Sequence, residues 1–131
     1  INRLGMVLGV ESNVTRKVVI LYGLTPAHFI GTAAHELMHD LIAERYPDFG
    51  DHAPDWAEEG LCQYAAVLVC RRLNYGERIK AIEVENDAVY GAGYRWFAGR
   101  FGTDGWAKVA HWLITRGYAD LPPVLPPDKN K

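Results

Sequence analysis

Thr25-Pro26-Ala27-His28-Phe29-Ile30-Gly31-Thr32-Ala33-Ala34-His35-Glu36-Leu37-Met38-His39-Asp40-Leu41-Ile42-Ala43-Glu44-Arg45 is the stretch on which the fold turns. Thr25 is a residue type that caps a helix, and Pro26 suits the first helical position, where a missing N–H costs nothing. No further proline interrupts the run until Pro47, so a helix is expected from Ala27 to about Arg45. Inside it stands His35-Glu36-Leu37-Met38-His39, an H-E-x-x-H arrangement. Residues four apart on a helix differ by only ~40° in direction and ~6 Å in height, so both imidazoles reach one tetrahedral ion. Glu36 falls at the edge of the same face. Zinc lowers the pKa of bound water towards neutrality, and a carboxylate beside it takes the proton and passes it on to a leaving amine.

Upstream, Leu4 to Val10 and Lys17 to Leu24 are short β-branched apolar runs that read as a hairpin or two neighbouring strands. A peptide could add to the edge near Lys17 to Leu24 by main-chain hydrogen bonds. Downstream, Pro47 to Pro54 is dense in turn formers, and Asp55 is placed to cap a second helix from Trp56 to about Leu73. That helix is apolar on nearly every side. A third is expected over Asn86 to Arg100 and a fourth over Thr103 to Thr115. Trp96, Trp106 and Trp112, near helical spacing with Phe97 and Leu113, read as core packing. The expected fold class is α+β: a mostly helical domain over residues 1–116, with a small strand layer beside the H-E-x-x-H helix. Residues 117–131, with Pro122, Pro123, Pro126 and Pro127, read as a proline-rich tail, extended or disordered.

The chain has 131 residues, 49% hydrophobic and 23% charged, which is the composition of one ordinary globular domain. A net charge of −2 with scattered Lys and Arg leaves no footprint for nucleic acid or anionic lipid. No apolar run approaches the ~20 residues of a membrane helix. Neither nucleic acid nor membrane is therefore expected as a partner. Cys62 and Cys70, if on one helix, stand ~12 Å apart along its axis, too far for a disulfide. With no apolar signal segment at the N-terminus, a cytoplasmic location is favoured.

A catalytic zinc takes three protein ligands and keeps one position open. Trp56-Ala57-Glu58-Glu59-Gly60-Leu61-Cys62-Gln63-Tyr64 offers the third, because an ionised Glu in so apolar a helix needs a compensating cation. Neighbours on a helix point ~100° apart, so one of Glu58 and Glu59 faces the ion while the other complements the helix N-terminus or binds a substrate amine. His52 is the next candidate should neither serve.

H-E-x-x-H followed some twenty residues later by W-x-x-E-G resembles the gluzincin metallopeptidases. In that pattern the ligand immediately precedes the glycine, which implies Glu59, with Gly60 leaving room for a close approach of the active-site helix. Tyr90-Gly91-Ala92-Gly93 looks like the Y-x-x-G segment that carries a tyrosine over the zinc, which gives Tyr90 the role of donor to the oxyanion. Gln63, four residues beyond Glu59, stands where some gluzincins place an Asp that orients a zinc histidine. More closely, Leu21 to Leu24, His35 to His39, Glu58 to Gln63 and Tyr90 to Arg95 resemble the peptidase domain of the plant LIM-domain-containing, ubiquitin-activated growth-control peptidases, over roughly residues 17–116. The resemblance implies a zinc endopeptidase acting on protein or peptide substrates, and by itself implies ubiquitin-linked regulation. The alternatives are an aminopeptidase, whose G-x-M-x-N signature is absent upstream of His35, and a zinc-containing interaction module without catalysis.

Overall fold

The structure, a computed structural model, describes residues 25–126 and the strands β1 (Met6–Leu8) and β2 (Lys17–Val19). Six helices follow: α1 (Pro26–Arg45), α2 (Pro47–His52), α3 (Asp55–Arg72), α4 (Gly76–Glu83), α5 (Tyr90–Phe101) and α6 (Trp106–Ile114), then a 3-10 turn over Gly117–Asp120. The expected α+β class is thereby corrected: among the described residues the fold is mostly helical, with no strand layer. Among the described residues the extended structure is one antiparallel ribbon, Met6 opposite Val19 and Leu8 opposite Lys17. Two strands of three residues fall short of the three or more that a sheet needs to stand as a layer. The surface against which α1 packs is supplied instead by α3. Of the edge offered to a substrate strand only Lys17–Val19 is described; residues 20–24 lie outside the described residues.

α1 starts as its sequence dictates: the Thr25 hydroxyl accepts from the His28 N–H, and Pro26 takes the first helical position. Its buried residues, Gly31, His35, Met38 and Ile42, recur at spacings of four, three and four, a single stripe facing α3. α3 is the central helix. It buries residues all around its circumference, Trp56, Leu61, Cys62, Tyr64 and Val67 among them, because α1 lies on one flank and α5 on another. Asp55, expected as the cap, is its first helical residue, with Pro54 in the capping position.

Two helices, α2 and α4, are not expected from the sequence, and the last two start later than expected. Pro47 to His52 forms α2 rather than a loop, since Pro47 starts a helix well and the fully buried Phe49 fastens it against the rings of Trp112 and Tyr118. α4 follows a left-handed Asn74 and presents Ile82 to the core. The third expected helix starts later than Asn86, at Tyr90, where the Asp87 carboxylate accepts from the Val89 and Tyr90 N–H groups at 2.7 Å each. Within the proline-rich segment Tyr118 is buried and the Pro122 carbonyl accepts from Trp56 Nε1 at 3.1 Å, while most of its neighbours up to residue 126 are exposed. Among the described residues no helix is long and apolar enough to cross a membrane.

The contact that positions the site is where α3 and α5 cross. A Cβ on Gly60 would lie 2.6 Å from the Gly93 carbonyl carbon, and one on Gly93 would lie 2.9 Å from the Trp56 oxygen. The two backbones touch, and neither can yield as a side chain does. Gly60 thus makes room for α5, not for the H-E-x-x-H helix. Gly60→Ala is expected to destabilise the fold by at least about 1–3 kcal/mol, the usual cost of overpacking. Urea denaturation of the metal-free protein checks this, and an unchanged midpoint would show that the helices can part without penalty.

Candidate metal centre

His35 and His39 lie one turn apart on α1, and α3 crosses beside them so that four of its side chains point at the two rings. The Nε2 atoms of His35 and His39 each lie 3.1 Å from the same oxygen, Glu59 Oε1. On the far side of the rings, His35 Nδ1 donates to Gln63 Oε1 and His39 Nδ1 donates to Glu58 Oε2, both at 2.7 Å. Rings and carboxylates are part-buried, His35 most of all at 8% exposure.

This arrangement has more acceptors than protons. A neutral imidazole has one N–H, yet all four ring nitrogens face acceptor oxygens. With the protons on the Nδ1 atoms, two Nε2 lone pairs and a carboxylate oxygen converge on one point. Protonating both rings instead would set two cations with centroids 5.1 Å apart, a repulsion of roughly 3 kcal/mol at an effective dielectric of ~20. A divalent cation at the convergence point satisfies all three donors at once. A tetrahedral ion ~2.1 Å from each donor spaces them about 3.4 Å apart, close to the observed 3.1 Å. His35, His39 and Glu59 therefore fit zinc in donor type and in the two nitrogen–oxygen spacings.

Without a cation, protons hold the cluster together. Burial alone would lower the His39 pKa, but hydrogen bonds with Cys62, Glu58 and Glu59 outweigh it and raise it to about 12. Burial alone would likewise raise the Glu59 pKa, but hydrogen bonds from His35 and His39 hold it at about 2. Glu59 therefore stays ionised, as a metal ligand must.

Glu36 lies half-buried on α1 between the two histidines. Tyr90 opens α5, 40% exposed, its ring centroid 5.8 Å from that of His35. The Glu59 charge, then burial, raises the Tyr90 pKa, with Asp87 and Glu36 adding to the same direction. The phenol thus remains a proton donor at neutral pH. Its position depends on the Gly60–Gly93 contact, because Gly93 is one turn beyond Tyr90 on α5.

The structure thus brings His35, His39, Glu59 and Tyr90 together, with Glu36 beside them. Glu58 stands in the first turn of α3, as expected of a carboxylate that complements the helix N-terminus, and also accepts from His39 Nδ1. Gln63 holds His35, the position at which the resemblance placed an orienting residue. His52 takes no part in these contacts; it closes α2 and its Nδ1 donates to the Asp48 carbonyl at 2.9 Å. Sequence reasoning missed Cys62, considered only for a disulfide; it is a buried free thiol whose sulfur lies in one cluster with the His35 and His39 nitrogens. Its place three residues after Glu59, on the same helix face, was the available signal. No protein-family model, no curated protein and no solved structure matches the chain.

Proposed function

We propose that the chain hydrolyses peptide bonds with zinc held by His35, His39 and Glu59, a gluzincin-type arrangement. The observation that carries this reading is the convergence of two Nε2 atoms on one carboxylate oxygen while both Nδ1 atoms are already engaged. Bound zinc supplies Lewis acidity, which polarises a carbonyl and acidifies water. Gln63 and Glu58 fix the ring orientations and tautomers, so the two Nε2 lone pairs stay aimed at the ion. Glu36 takes the proton of the attacking water and delivers it to the departing amine. Tyr90 donates its hydroxyl proton in a hydrogen bond to the oxygen that becomes negative as the carbonyl carbon turns tetrahedral. The two free cysteines, both buried in α3, accord with a reducing compartment, and the cytoplasm is the proposed location.

The test is to strip the protein with a chelator, reload it with zinc, and incubate both forms with a diverse peptide library. One equivalent of zinc and cleavage at internal bonds by the loaded form alone are expected. Release of N-terminal residues only would make it an aminopeptidase, and loading without cleavage would make it a binding module. Tyr90→Phe keeps the ring and removes the donor, so turnover is expected to fall by ~10²- to 10³-fold. Zinc content and melting temperature should stay as in the unsubstituted protein. Unchanged turnover would assign Tyr90 to packing.

A further inference from the structure

The two cysteines of α3 have different surroundings. Cys70 Sγ lies 3.5 Å from the position that a Cβ on Gly31 would take, so it fills the crossing of α1 and α3. Cys62 is fully buried, and its Sγ and one nitrogen from each of His35 and His39 all lie within 4.8 Å of one another. A tetrahedral zinc with nitrogen at ~2.05 Å and thiolate at ~2.3 Å spaces those two donors about 3.5 Å apart. For the sulfur and these two nitrogens, closing from within 4.8 Å to that spacing takes a movement on the order of 1 Å. The sulfur also brings a soft donor that favours zinc or cobalt over magnesium or calcium.

Resting on the zinc reading above, we propose that Cys62 is a fourth protein ligand of the ion held by His35, His39 and Glu59. Coordination exchanges the S–H bond for a metal–sulfur bond, and the proton leaves to solvent. Four protein ligands close a tetrahedral site, whereas catalysis requires an open position. A thiolate-bound form would therefore be latent, with Cys62 holding the position that catalysis leaves open.

Cobalt(II) in place of zinc reports the sulfur directly. The unsubstituted protein, Cys70→Ala and Cys62→Ala are each stripped, reloaded with one equivalent of cobalt(II) and examined by absorption spectroscopy. A sulfur-to-cobalt charge-transfer band is expected in the first two and not in Cys62→Ala. Zinc-edge X-ray absorption of the unsubstituted protein needs no variant, and is expected to show a sulfur scatterer at about 2.3 Å. Zinc-saturated Cys62→Ala is expected to turn over peptide at least tenfold faster, and turnover no higher than that of the unsubstituted protein would overturn the latency. One equivalent of bound metal without a sulfur scatterer, or a charge-transfer band that persists in Cys62→Ala, would overturn the ligand assignment and leave the zinc reading standing. Failure of the unsubstituted protein to bind metal would overturn both.

Discussion

Glu36→Gln is expected to lower peptide turnover by ~10²- to 10⁴-fold while the protein keeps its fold and its zinc. The amide has the shape of the carboxylate and removes only its ability to take a proton. Neither imidazole is touched, and the Nδ1 bonds of His35 to Gln63 and of His39 to Glu58 do not involve Glu36. Metal stoichiometry should therefore stay at one while turnover collapses. That separation distinguishes loss of a base from loss of a site. Steady-state kinetics beside elemental analysis of the same sample measures both. A zinc-loaded Glu36→Gln protein that cleaves nearly as fast as the unsubstituted one would remove Glu36 from the mechanism.

The second large effect separates two adjacent carboxylates. Glu59→Ala removes the one oxygen that faces both Nε2 atoms at 3.1 Å, so zinc affinity should collapse and activity with it. Glu58→Ala removes only the partner of His39 Nδ1, 2.7 Å away. Losing an outer hydrogen-bond partner of a metal-ligating histidine typically costs 10- to 100-fold in affinity or activity. The loss at Glu59 is expected to exceed that range and the loss at Glu58 to fall within it. Competition against a chromophoric chelator gives both affinities on one scale. If Glu58→Ala proved the more damaging, the roles of the two residues would be exchanged. Glu58→Gln, which keeps an acceptor for Nδ1 without the charge, is expected to recover part of the loss.

Local chemistry made much of this legible in the sequence alone. Thr25, Pro26 and the proline-free run before Pro47 define α1, and helical geometry then places His35 and His39 on one face, because a four-residue offset is almost a full turn. Glu59 and Tyr90 were reached through the gluzincin resemblance, whose glycines are Gly60, next to Glu59, and Gly93, three residues after Tyr90. The strand layer failed for a physical reason: Met6–Leu8 and Lys17–Val19 do pair, as their local pattern suggests, but two short strands are not a layer, and whether others join them depends on partners far away in the chain. α4 escaped notice, being an eight-residue helix with one buried side chain, Ile82, and little apolar pattern to read. Only the tertiary structure decided what each polar group meets. Glu58 and Glu59 are neighbours with the same chemistry, and one accepts from Nδ1 while the other faces two Nε2 atoms because α1 crosses α3 at one height and angle. Cys62 stands with the histidines and Cys70 does not, although both lie on the same helix. A helix sets where its own side chains point to within a few tens of degrees, but the crossing of two helices is set by the volumes that meet there. For α3 and α5 those volumes are the missing side chains of Gly60 and Gly93, and that contact determines how near Tyr90 stands to His35.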